Sequence, residues 1–259
     1  MSSRPTPRWR VAVLLAVLVV LSACGSASGA GTAGTASTPP RPDRPIRYMP
    51  LGDSITAGYP GKQGGYRTLL WQLLVQQDGD DIDFVGSLSS GPPELGDPDH
   101  EGHGGWCIAG PCGGHPERAV APAVAGWMTQ FRPDIVSVHL GTNDLNKGAH
   151  GVTAARRLDD LVARLYAADP GVDVILVQIV QGQDHAGEHE VYDAAIPAIA
   201  ARYRAQGRKI AVLDMSPLLS MPTNFVDGIH PTQFGYDIMA RALHPAVSQA
   251  YRDVAAAHS

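Results

Sequence analysis

Short runs of β-branched and aliphatic residues alternate along this chain with segments whose apolar residues recur at helical spacing, and this alternation limits the possible folds more than any other feature. Residues 47–51, 82–86, 134–140, 172–180 and 209–213 read as five strands. Between them Tyr66, Leu69, Leu70, Leu73 and Leu74 share one helical face, as do Ala155, Leu158, Leu161, Val162 and Leu165. A further helix is expected over 192–206 despite Pro197, and a last one carries Tyr236, Met239, Ala240 and Leu243. Strands that are apolar throughout must be covered on both faces, and strands joined through helices pair in parallel. The expected class is therefore α/β, with a five-stranded, mainly parallel sheet between helical layers in one domain over 46–256. Residues 87–116 break the rhythm, and an irregular stretch of that length usually belongs to a site or a lid.

Composition supports a folded core and removes one class of partner. Hydrophobic residues make up 44% of the chain and charged residues 17%, which is too apolar for a disordered chain. The net charge is -5 and no basic stripe interleaves with aromatics, so nucleic acid is not an expected partner.

The N-terminus speaks to location. Arg4, Arg8 and Arg10 precede an apolar run over 11–21, too short for a comfortable membrane span, that stops at Ser22-Ala23-Cys24. Residues 1–23 are therefore expected to be a signal peptide. Leu21-Ser22-Ala23-Cys24 resembles a bacterial lipobox, which implies cleavage before Cys24 and acylation of that cysteine; an ordinary small-residue cleavage site is the alternative. Residues 24–45 are rich in Gly, Ala, Ser, Thr and Pro and read as a disordered linker. The expectation is an exported monomer, held at the outer face of the cell membrane by its lipid alone or released. With Cys24 committed to lipid, Cys107 and Cys112 are expected to form a disulfide across a small loop, contributing roughly 2 kcal/mol.

Three motifs fall where strands end, which is where ligands bind in an open parallel sheet. Gly52-Asp53-Ser54 follows the first strand, and its turn presents Ser54 as a candidate nucleophile; Asp53 or Ser54 serving only as a helix N-cap is the plainer alternative. Gly141-Thr142-Asn143-Asp144 follows the third strand, and Asn143 is a candidate side-chain donor to an oxyanion, against an Asx turn or a cap. Asp227-Gly228-Ile229-His230-Pro231 precedes the last helix. Its three-residue spacing lets the carboxylate hold the imidazole Nδ1 while Nε2 faces outward as a base; a local loop pair or half of a metal site fits the same spacing. No motif decides the matter alone.

Together, in this order and spacing, they resemble blocks I, III and V of the SGNH (GDSL) hydrolases. The resemblance implies a flavodoxin-like three-layer α/β/α fold and acyl transfer without a cofactor, with Ser54, Asp227 and His230 as catalytic residues. It also implies an oxyanion hole of Ser54 N–H, Asn143 and a block II glycine from His100-Glu101-Gly102-His103-Gly104-Gly105-Trp106. Gly105 is assigned that role, with Gly102 and Gly104 as competitors. The segments around Tyr48, Gly64-Gly65-Tyr66-Arg67, Asp83-Phe84-Val85-Gly86-Ser87 and Asp99-His100-Glu101 are similar to the family 3 carbohydrate esterases, the acetyl xylan esterase branch. That implies an acylated carbohydrate or other small ester as substrate, with Tyr59 and Trp106 either as sugar platforms or as core aromatics. A lipase, thioesterase or lysophospholipase acting on longer chains and a non-catalytic carbohydrate-binding protein are the alternatives. His100, His103, Asp97, Asp99 and His115 match no zinc spacing, so no metal is expected, and His139 is expected to be a hydrogen-bonded core histidine.

Overall fold

The computed structural model describes residues 44–61, 64–180 and 187–258. The expected signal peptide, Cys24 and the linker up to residue 43 lie outside the described residues. The five expected strands are β1 (Ile46–Gly52), β2 (Ile82–Phe84), β5 (Ile135–His139), β6 (Asp173–Val177) and β7 (Ile210–Leu213), all paired in parallel in the order β2-β1-β5-β6-β7. The chain thus leaves β1 toward one edge and returns on the other side. This makes the gap between the carboxyl ends of β1 and β5 the topological switch point.

Alternate residues of the strands feed two separate cores, which is why the strands read as unbroken apolar runs. Met49, Val136, Val138, Val174 and Leu176 pack with α3 (Val120–Phe131), α5 (Gly151–Ala168) and α6 (Glu188–Ala205). Tyr48, Ile135, Ile175 and Val177 pack on the other face with α2 (Tyr66–Trp71), which continues in a wider π turn over Gln72–Gln77, and with α7 (Gln233–Ala257). The result is a three-layer α/β/α arrangement. Leu161 and Leu74 are fully buried in the two cores, and truncating either to alanine should cost about 2–5 kcal/mol.

Pro197 lies inside α6 without breaking it. A proline cannot donate to the carbonyl four residues back, and that carbonyl, on Asp193, instead accepts from the buried amide Nε2 of Gln178 at 2.9 Å. The Asp193 side chain in turn accepts from Ile179 N–H.

Residues 87–116 are more ordered than expected. They contribute β3 (Leu88–Ser89) and β4 (Asp99–Gly102), antiparallel to each other, and β4 pairs in parallel with the end of β1, Leu51 against Glu101 and Gly52 against Gly102. The sequence hid this strand because its buried residues are polar. His100 and Glu101 are enclosed yet hydrogen-bonded, Glu101 by Ser87 N–H, Ser87 Oγ and His103. The expected bond between Cys107 and Cys112 is present in this segment.

Candidate active site

β1 ends at Gly52, and the chain turns at once into α1 (Ser54–Ala57). A Cβ on Gly52 would lie 2.0 Å from Thr56 Oγ1 and 2.8 Å from the His139 carbonyl oxygen, so only glycine lets α1 close against β1 and β5 here. Asp53 is the N-cap, its Oδ1 accepting Ile55 N–H at 2.9 Å. Capping therefore falls to Asp53, which frees Ser54, the first helical residue, to face a cleft. Burial lifts the Asp53 carboxyl to about 7, opposed by its bond from Ile55 N–H.

The imidazole comes from the loop before α7. Phe225 bridges to Pro231, Val226 N–H donates to the His230 carbonyl and Thr232 caps α7, so 226–230 forms a closed loop. Asp227 Oδ1 accepts the backbone N–H of Ile229 and of His230, and its Oδ2 meets His230 Nδ1 at 2.8 Å. Partial burial pushes the Asp227 carboxyl up, but the bonds from His230 N–H, the His230 ring and Ile229 N–H outweigh it and hold the group below its usual range. His230 Nε2 lies 2.9 Å from Ser54 Oγ. Tyr59 stands edge-on to the imidazole at 4.5 Å between ring centres.

β4 delivers the glycine-rich turn to the same rim. His103 N–H continues the ladder to the Gly52 carbonyl, and Trp106 N–H donates back to the His103 carbonyl at 3.1 Å, closing a four-residue turn. Gly105 occupies its third position at φ +78°, the left-handed region that a type II turn requires. Both Gly104 and Gly105 line the cleft, whereas Gly102 donates its N–H to His100 Nδ1 and packs against α1. The N–H groups of Ser54 and Gly105 have no acceptor among the described residues.

One short helix after β5, α4 (Thr142–Asn146), holds this turn in place. Asn143 Nδ2 donates to the Trp106 carbonyl at 2.9 Å and, weakly, to Asp53 Oδ2 at 3.3 Å. Asp144 Oδ2 accepts Ile108 N–H at 2.8 Å while its Oδ1 pairs with Arg157. Lys147, at the end of α4, donates to the Gly105 carbonyl. Asp144 and Lys147 were not singled out from the sequence; only the position of Asp144 within Gly141-Thr142-Asn143-Asp144 hinted at a role. The buried Arg67 was named from the sequence only within Gly64-Gly65-Tyr66-Arg67, without a role. Its guanidinium donates to the Thr56, Ala57, Ser90 and Pro98 carbonyls, fastening the end of α1 to the β3–β4 segment. Burial lowers its pKa to about 10, against the opposing influence of Tyr66, Tyr48, Tyr236 and Asp97.

The cleft so formed measures about 400 Å³ and is lined by Ser54, Tyr59, Gly104, Gly105, Asn143 and His230 among others. Trp106, weighed as a sugar platform or a core aromatic, does not line it: the His103 ring stacks on the indole at 4.2 Å and on Trp127 at 4.8 Å, and Trp106 packs against the core. Four of the five polar residues weighed as metal ligands have separate partners, with Asp97 accepting Phe84 N–H, His100 meeting Ser90, His103 meeting Glu101 and His115 meeting Glu117. His139 is buried as expected, but neither ring nitrogen has a partner among the described residues, and burial lowers its pKa to about 4.

The model of the GDSL-like lipase/acylhydrolase family matches residues 51–238, from the end of β1 into α7. The chain belongs to this family. It is thus a protein of the GDSL (SGNH) type, and carbohydrate esterases are among the proteins it resembles. A family 3 carbohydrate esterase of Clostridium thermocellum shares 31% identity at a TM-score of 0.71, with 82% of this chain and 100% of that chain covered. A mutant acetyl esterase solved with an acetate ion shares 29% identity at a TM-score of 0.68, over 81% of this chain and 99% of that one. A multidomain esterase of Ruminococcus flavefaciens is 27% identical over 215 residues, 76% of this chain. The GDSL-type chain spans 28% of the length of that curated relative.

Proposed function

We propose that this esterase removes short acyl groups, chiefly acetyl, from carbohydrate outside the cell, through an acyl-enzyme on Ser54. The observation that carries the proposal is the unbroken line from Asp227 Oδ2 to His230 Nδ1 at 2.8 Å and from His230 Nε2 to Ser54 Oγ at 2.9 Å, ending in an open cleft. Neutral His230 takes the Ser54 proton as Oγ attacks the ester carbonyl, and Asp227 holds the tautomer and stabilises the imidazolium that forms. The oxyanion is received by Ser54 N–H, Gly105 N–H and Asn143 Nδ2. His230 then protonates the departing alcohol, and the same steps with water release the acid.

Support for a small acyl group comes from the acetyl esterase among the similar structures. Support for a carbohydrate comes from the carbohydrate esterase and acetyl esterase among the similar structures. Export and anchoring through Cys24 rest on the sequence of residues 1–24. They are tested by labelling cells with radioactive palmitate, where a label that survives Cys24→Ala refutes lipidation there.

The activity test compares acetate release from acetylated xylan with hydrolysis of p-nitrophenyl acetate, butyrate and octanoate by the full chain, with Ser54→Ala as control. Release of acetate that disappears in Ser54→Ala is the expected result. Preference for octanoate with inert xylan would leave an esterase of another substrate class. No turnover of any substrate would favour a carbohydrate-binding protein that keeps the fold.

A further inference from the structure

Beyond the Ser54 cleft, across the end of α4, lies a second cleft of about 290 Å³. Asn146 lines the first and its neighbour Lys147 lines the second, so the two share a wall. Around the second stand Lys147, His150, Thr153 and Arg157, with Asp144 at its base and Cys107 of the disulfide loop opposite.

The charges do not cancel. Lys147 and Arg157 line the cleft and the charge of Arg118 reaches Lys147, three positive charges against two carboxylates, Asp144 and the Glu188 that meets His150 at 2.9 Å. The Asp144 carboxylate is also fully engaged, by Arg157 on one oxygen and Ile108 N–H on the other. The remaining guanidinium N–H groups of Arg157 and the Thr153 hydroxyl have no partner among the described residues, and Lys147 has a third proton beyond those given to the Gly105 carbonyl and Cys112 Sγ. Burial, and then the nearby charge of Arg118, holds the Lys147 pKa below its usual value, against the opposing influence of Asp144 and Asp53. The N-terminus of α5 is not the source of a positive field toward a ligand, because Glu188 Oε2 already accepts its first N–H.

We propose that this second cleft is a subsite for the carboxylate of a sugar acid, carried by the same polysaccharide whose ester is cut at Ser54. The inference rests on the carbohydrate esterase reading above. One net positive charge matches a single carboxylate and leaves a phosphate dianion under-neutralised, and the planar edge of Arg157 suits two parallel bonds to such a group. Anchoring an acidic sugar here sets the adjoining residue over the Gly105 side of the catalytic cleft.

The test measures kcat and KM of the full chain on acetylated glucuronoxylan and on the same polymer after its carboxyl groups are reduced to alcohols. The expected result is a KM five- to tenfold lower for the acidic polymer with kcat alike, and a difference that shrinks in 0.5 M salt. Arg157→Gln and Thr153→Glu should each abolish the preference, every rate being normalised to the same variant's turnover of p-nitrophenyl acetate. Thr153→Glu covers the case in which losing the Asp144 partner unfolds Arg157→Gln. Equal KM values for the two polymers overturn the subsite. If both polymers are inert while p-nitrophenyl acetate is hydrolysed, the polysaccharide reading fails, and glucuronate titrated against the Ser54→Ala chain decides the subsite separately. Saturable shifts of signals from α5 with glucuronate and none with glucose support it; no shifts, or tighter binding of inorganic phosphate, overturn it.

Discussion

Replacing Asn143 by alanine separates chemistry from scaffolding at one position. Nδ2 carries two hydrogens, one held by the Trp106 carbonyl at 2.9 Å and the other directed at Asp53 Oδ2 across a long 3.3 Å contact. The second is the hydrogen free to swing to an oxyanion, because the contact it gives up is weak. Losing an oxyanion donor lowers turnover by roughly 10²–10³, or about 2.7–4 kcal/mol of transition-state stabilisation. Losing the bond to the Trp106 carbonyl costs only about 1 kcal/mol of folding stability, a fall in Tm of about 2–4 °C for a domain of this size. The expected outcome is therefore a Tm nearly that of the parent with a kcat crippled on p-nitrophenyl acetate and KM little changed. Steady-state kinetics and thermal denaturation of the same preparation check both parts. A kcat within threefold of the parent, in a variant that folds, refutes the assignment of Asn143 to the oxyanion.

Gly105→Ala meets no atom within 4 Å but sits at φ +78°, so its cost is purely one of backbone strain; a crystal structure should show a displaced turn, and kcat should fall while the fold persists. Burial lowers the His139 pKa to about 4, so the folded state keeps it neutral while the unfolded chain takes up a proton below about 6.5. Its contribution is complete above pH 6.5 and is lost as pH falls toward 4, so His139→Leu should flatten the acid side of a Tm-against-pH curve; an unchanged slope refutes this. For Asp53 the sign is opposite: with a folded pKa of about 7, the folded state holds more protons than the unfolded one from about pH 4 to 7, and stability falls as pH rises through that window. Asp53→Asn should thus raise Tm relative to the parent more at pH 8 than at pH 5. Reducing the bond between Cys107 and Cys112 should cost roughly 2 kcal/mol, checked by denaturant unfolding with and without reductant.

What was legible in the sequence followed from apolar patterning and from side chains whose chemistry is local. Five strands of the central sheet could be read because each carries buried apolar residues, on both faces in β1, β5 and β6 and on one face in β2, where Asp83 is exposed. Asp227 and His230 could be read as a pair because three residues separate them in one closed loop. β4 was illegible for the opposite reason: Asp99-His100-Glu101-Gly102 carries no apolar signal, and its polar side chains are satisfied by residues 87 and 90, which only the fold brings near. Trp106 could not be decided between platform and core from the sequence, because the stack that covers it comes from His103 and the fold around it. Lys147 was missed and Arg67 was named without a role because both act on main-chain carbonyls, and a carbonyl leaves no trace in residue identity.

The three links from α4 to the glycine-rich turn carry a lesson for anyone who would re-engineer this enzyme. Loop exchange between homologous hydrolases treats the segment after β4 as a cassette whose ends alone must match. Here Trp106, Ile108 and Gly105 are each held from a helix more than thirty residues downstream in the chain, by Asn143, Asp144 and Lys147 respectively. A graft that brings only the loop would meet a foreign clamp, and the portable unit is the loop together with the C-terminal end of β5 and the short helix that follows it.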